Sequence, residues 1–290
     1  MARIEITMPT TPFFSRSTFT LNRAVGQTVS PFTGQQKTQE YDFVGWSADL
    51  TLPPQLRSTA VNWQSFLARL NGTTNAFFMS DPDAKSPKGT YDGSTLLTAS
   101  RVADTSTTLT FSASNKTITS NESIFSNAMV GDFIFVTGAT NEENNGTKRV
   151  TATTSATVLT VEDTLVDESS TASCKVQQNI KGSTGLCLTA STNTATGTLA
   201  VGDYLGIGTT FSTYKQYVLV TQVSNEVAVG GGKNTIAVRI EPKLRADIAA
   251  DTTVGFATAQ GLFRLIDNPV EWSAGRNSLY NISFSVAEVI

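Results

Sequence analysis

Hydrophobic and polar residues alternate with period two along much of this chain. Ile4, Ile6 and Met8 are separated by polar residues, the pattern that places one face of a strand on a core. Trp46, Ala48, Leu50 and Leu52 repeat it, as do Ile236, Val238 and Ile240. The cleanest run is at the C-terminal end, where Tyr280, Ile282, Phe284 and Val286 alternate with Asn281, Ser283 and Ser285. Thr and Ser fill the stretches between, which suits strand surfaces and turns. One segment departs from this period. After Pro53 and Pro54, Ser58 or Thr59 is placed to N-cap a helix ending at Leu70. Ala60, Trp63, Phe66, Leu67 and Leu70 form its apolar stripe, and Asn71-Gly72 is a stop signal. A strand over "NAFFMS" follows, then the turn-rich "DPDAKSPKG". The pattern predicts a mainly β protein with one α-helix.

A second pattern is longer. "MVGDFIFVTG" (129–138) and "AVGDYLGIGT" (200–209) share a Gly-Asp step, an aromatic residue and an apolar run. Each is preceded by a strand-like segment, "TLTFSAS" and "GLCLTAS". Each is followed by a loop, a strand with a lysine near its start, a turn and another strand. Two small inserted β modules are expected, over about 98–175 and 176–257, each of four or five short strands. Common origin and convergence on a common Gly-Asp turn both account for the likeness. The remainder, 1–97 joined to 258–290, would close one sheet-and-helix core.

Composition narrows the function. Of 290 residues, 39% are hydrophobic, enough for a buried core. There is no histidine, which removes Ser-His and Cys-His nucleophile pairs and His-ligated metals. Cys174 and Cys187 are too few for a disulfide framework. The net charge of −3 argues against binding nucleic acid through a basic face. The N-terminal residues lack the apolar segment of a secretory signal, and no apolar run approaches the ~20 residues of a membrane span. A non-enzymatic protein is expected, without membrane insertion.

Several segments superficially resemble chemistry. "GGGKNT" (Gly230 to Thr235) lacks the earlier glycine of a phosphate loop, has Asn234 after the lysine, and leads into a strand, so it is read as a hairpin tip. Asp81, Asp83 and Asp92 lack the alternate-ligand pattern of a calcium loop, because Lys85 stands at the third position. Glu142 and Glu143 read as a solvated loop, and the Asn-x-Ser/Thr triplets at Asn71, Asn115, Asn121, Asn145 and Asn281 as compositional. Tyr204, Phe211, Tyr214 and Tyr217 would either line a sugar-binding face or pack the second module's own core. No catalytic, cofactor-binding or metal-ligating residue is nominated.

The order of several segments resembles a known family. "SPFTGQQ" leads to a strand containing Trp46, then "LPP", a helix with a Trp followed by "FLARLNG", and "DPDAKSPKG". The closing "GLFRLIDNPVEWSAGRNSLYNISFSVAEVI" and "LAVGDYLGIG" leading to "YKQYVLV" continue the likeness. Together these resemble the distal tail proteins of long, flexible-tailed bacteriophages; residues 98–175 are not covered and look like an extra insertion. The resemblance implies a tail-tube-like β-sandwich or barrel core with one helix. It also implies a homo-oligomeric ring, a hexamer, at the tail tip. Its partners would be the tail tube protein above and a hub or fibre protein below, with DNA only passing through. Such a protein is made in the host cytoplasm and resides in the virion tail. Two alternatives stand beside it: a carbohydrate-binding or adhesin β protein, and a tail-tube subunit.

Overall fold

The computed structural model describes residues 4–290 except 85, 92–95, 99–107, 126–129, 172–173, 191–197, 209, 215, 224–226, 230–232, 250 and 276. The chain forms two compact units: Met1–Lys85 with Gln260–Ile290, and Ser86–Ala259. It is mainly β, with one α-helix among the described residues.

In the first unit, the strand Arg16–Val29 pairs with Gln36–Thr51 in a long antiparallel hairpin. Gln36–Thr51 pairs in turn with Leu279–Glu288, then come Gly261–Leu265 and Phe77–Met79. The alternating residues read from the sequence point inward: Trp46, Ala48, Leu50, Leu52, Ile282 and Val286 are all buried. Leu279–Glu288 changes partners midway. Its first residues pair with Gln55–Leu56 and Trp272–Ala274.

The helix spans Arg57–Leu70 and buries all five residues of the expected stripe. Its start differs from the expected cap. Leu56 is the N-cap, in extended geometry and without a side-chain bond, because Gln55–Leu56 is held as a strand against Leu279–Tyr280. Asn71 ends the helix in the left-handed conformation. Trp63 sits edge-on to Phe14 and Phe66, lies near Phe284, and donates its indole N–H to the Thr11 carbonyl at 3.2 Å. The expected strand at Ile4–Met8 is reduced to one bridge, Glu5 to Ala76. Ile6 is buried there, but Ile4 is exposed, so the alternation does not define one buried face.

The second unit holds two barrels with the same strand pairing. One uses Leu109–Ser112, Thr117–Ser120, Phe133–Thr137, Gly146–Ser155, Val158–Val161 and, closing it, Glu168–Thr171 with Lys175–Gln177. The other uses Leu96–Thr98, Gly185–Ala190, Tyr204–Ile207, Gln216–Val223, Lys233–Glu241 and Thr253–Gly255. Around each barrel the neighbours run first, second, fifth, fourth, third and sixth strand, then back to the first. Each encloses its own apolar core.

The likeness extends to single residues. Gly131 and Gly202 take φ of 93° and 96°, where a side chain is strained. Gly131 N–H donates to the Val150 carbonyl and Val150 N–H to the Asp132 carbonyl; Gly202, Val220 and Asp203 repeat both bonds. One residue bulges at the same step of the fourth strand, Thr151 in one barrel and Thr221 in the other.

The barrels are nested, not tandem. The strand Leu96–Thr98, which straddles the expected boundary at 97/98, pairs with Gly185–Ala190 and Thr253–Gly255. The barrel of 109–177 therefore interrupts the other between its first and second strands. The contact boundaries fall at 85/86 and 259/260, where the sequence division had 97/98 and 257/258. The physical reason is edge pairing: a three-residue strand far away in sequence supplies the staves that close the later barrel. We call 109–177 the inserted barrel and the other the carrier barrel.

Candidate functional site

The residues singled out for possible chemistry do not converge. Lys233 begins a strand whose partner is Val227–Val229, in keeping with a hairpin; its tip, 230–232, lies outside the described residues. Asp81 accepts the N–H of Asp83 at 3.1 Å in a local turn, while Lys85 and Asp92 lie outside the described residues. Glu142 and Glu143 sit in a short 3-10 turn, where the Glu143 carbonyl accepts from Lys148 Nζ at 2.7 Å. Tyr217 is fully buried and stacks on Tyr204 with centroids 4.9 Å apart, so it serves packing; Phe211 and Tyr214 are half-buried. Cys174 and Cys187 are buried and are not joined in a disulfide. Among the described residues no group of three or more His, Cys, Asp or Glu is placed to hold a metal, and no helix is long and apolar enough to cross a membrane.

The most distinctive surface of the first unit is its hairpin. Near its base Phe19 packs on Trp46 and Phe263, with Val44 and Trp46 buried. The register slips between Arg23 and Val25, and beyond that slip no described side chain of the arm is buried. Val25, Val29, Phe32, Tyr41 and Phe43 are exposed, Phe32 to 95%. The turn is closed by Ser30 N–H to the Gln35 carbonyl and Gly34 N–H to the Ser30 carbonyl. Arg16–Val29 is an end strand of its sheet, so one edge of a 14-residue strand offers its backbone groups to an outside partner. Sequence reasoning missed this arm, because its apolar positions lack strict alternation. Its signal was five large apolar residues in a Gln- and Thr-rich stretch.

At the base of the same sheet lies an open hollow of about 550 Å³. Asp49, Asp267, Glu271, Ser283 and Ser285 line it together with Leu265, Val270 and Phe284. Ser285 donates its hydroxyl hydrogen bond to Asp49. A second hollow of about 490 Å³ shares Thr51, Glu271 and Ser283 and includes the exposed Trp272.

Where the two barrels meet, the repeated Gly-Asp step does different work. Asp203 of the carrier accepts N–H bonds from Lys88, Gly89 and Ala200 at 2.6, 3.1 and 2.7 Å, tying down the chain that leads into its own barrel. Asp132 of the inserted barrel instead faces the carrier. It accepts from the Thr184 hydroxyl, beside the Gly185 amide and the Arg239 guanidinium. Arg239 also donates to the Val130 carbonyl and to Thr184 Oγ1. Burial pushes the Asp132 carboxyl up to about 6, against the lowering pull of Arg239, Gly185 and Thr184. A Cβ on Gly185 would lie 1.6 Å from Asp132 Oδ2, so the junction closes only around glycine. No protein-family model matches this chain, and no curated protein is significantly similar to it.

Proposed function

We propose that this protein is a structural ring subunit of a bacteriophage tail tip, of the distal tail protein kind. It joins the tail tube to a hub or fibre protein and lets DNA pass. One observation carries this reading: the first unit projects a long arm with an open strand edge and five exposed large apolar residues. A chain that worked alone would leave that edge as an aggregation hazard; a ring neighbour gives it a use. The order of segments resembling distal tail proteins supports the same reading, as does the lack of histidine-based chemistry. The net charge of −3 per chain disfavours a lining that grips the phosphate backbone.

The test is the purified full chain. Negative-stain imaging and mass measurement in solution should give a closed ring, six-fold on this reading, with a central opening. Filter binding at low salt should retain little double-stranded DNA. A strictly monomeric protein at high concentration would overturn the ring, and a fibre of indefinite length would make it a tube subunit.

A further inference from the structure

We infer that the tip of the arm of one copy seats in the hollow lined by Asp49, Asp267 and Glu271 of the next copy. The inference rests on the ring reading and names the contact that would build it.

Reach comes first. Gln36 and Asp49 pair with Val29 and Thr18, which are 11 steps apart, or about 36 Å at ~3.3 Å per residue, since Tyr41, Asp42 and Phe43 lie outside the pairing. A body of the first unit's size has a radius of gyration of roughly 13 Å. Pairing holds the arm extended to Val29↔Gln36, so its tip cannot fold back onto the hollow at its own base. An arm tip that fills that hollow must therefore come from another copy of the chain.

Chemistry comes second. The tip itself, residues 26–39, carries Lys37 and no carboxylate; Glu40 and Asp42 lie nearer the base of the arm. The hollow presents three carboxylates and no Lys or Arg. Phe32 and Val29 are solvent-exposed on the arm, and Leu265, Val270 and Phe284 give the hollow an apolar floor suited to one aromatic ring. Opposite charge around an apolar anchor fixes register as well as attraction. Arm and hollow are different surfaces of one chain, so the contact is head-to-tail and repeats around a ring if its rotation closes.

Charge reversal tests this with full-length protein. Asp267→Lys with Glu271→Lys reverses the hollow; Lys37→Glu with Gln39→Glu reverses the arm. All four sites are exposed, and unchanged circular dichroism and melting would verify folding. The wild type should assemble, more weakly as salt rises. Each double variant alone should self-associate at least tenfold less well. A mixture of the two should assemble again, because each arm then meets a hollow of opposite charge, giving alternating rings of even count. If the wild type assembles and hollow reversal changes nothing, the contact is wrong while the ring survives. The contact is equally wrong if arm reversal alone abolishes assembly and mixing fails to restore it. A wild type that stays monomeric overturns the ring and this contact with it.

Discussion

The two barrels share pairing order, bulge position and the Gly-Asp corner, yet they spend the aspartate differently. In the carrier, Asp203 is met by backbone amides of its own barrel and of the segment leading into it. In the inserted barrel, Asp132 looks outward, to a glycine, a threonine and an arginine of the carrier. The glycines correspond as well: Gly89 sits against Asp203 as Gly185 sits against Asp132. One local device therefore fastens a barrel to whatever chain lies beside its corner. When that chain belongs to another barrel, the device becomes a joint. The difference shows that the corner's geometry is intrinsic to the fold, whereas the ionisation of its carboxyl depends on what the neighbour supplies.

The largest effect is expected from breaking the nesting. Excising residues 104–177 and joining the ends with a short Gly/Ser linker should leave the carrier folded, with a cooperative melt. Excising 95–175 instead removes the strand Leu96–Thr98 and strands Val176 without its barrel, and should give an insoluble or non-cooperative product. Equal behaviour of the two deletions would refute the nested assignment.

Next in size is a packing difference at matched positions. By pairing register Tyr217 corresponds to Thr147. Tyr217 is buried and Thr147 exposed. Tyr217→Ala should cost about 3–5 kcal/mol in a urea melt, as for other large aromatic truncations. Thr147→Ala should stay within about 0.5 kcal/mol, the usual range for a surface change.

The corner itself comes third. Asp203→Ala strips acceptors from three amides, at about 1–3 kcal/mol for each that stays buried and unpaired. A total of about 3–4 kcal/mol is expected, and a loss below about 1 kcal/mol would mean water replaces the carboxylate. Asp132→Ala should cost less and should chiefly loosen the joint, read as a larger radius by X-ray scattering.

The smallest effect is in pH. Asp132 has a folded value of about 6 against 3.8 unfolded, so between these values the folded chain holds the extra proton. Its contribution is therefore fullest below about pH 4 and is lost as pH rises to about 6. The stability of the wild type minus that of Asp132→Asn should fall by at most about 3 kcal/mol between pH 4 and pH 7. A flat difference would place Asp132 in water.

Much of this fold was legible because burial writes itself into spacing. Trp46 to Leu52 and Tyr280 to Val286 gave their strands, and Ala60 to Leu70 gave the helix. The Gly-Asp corners were legible because positive φ demands glycine. What failed was of two kinds. "LLT" at 96–98 is too short to show a period, and its partners begin at Gly185, so local pattern could not assign it to a barrel. Ser58 and Thr59 looked like caps, but the helix start is set by pairing of Leu56 with Leu279, a contact with no local signal. The arm and the hollow were likewise hidden, since exposed surface features leave no periodic burial signal in the sequence.

The nesting also orders the folding process. The carrier's first strand must wait for its second until the whole inserted barrel has been synthesised. Strand Leu109–Ser112 meets all its partners by Gln177, before Gly185 is made. Once the inserted barrel closes, it ties off the intervening chain and shortens the free loop between Thr98 and Gly185 about fivefold. That reduces the closure entropy facing the carrier by roughly 1.5 kcal/mol. The insertion thus acts as a knot tied early in a long thread, and pulse-labelled hydrogen exchange during refolding should show its amides protected first.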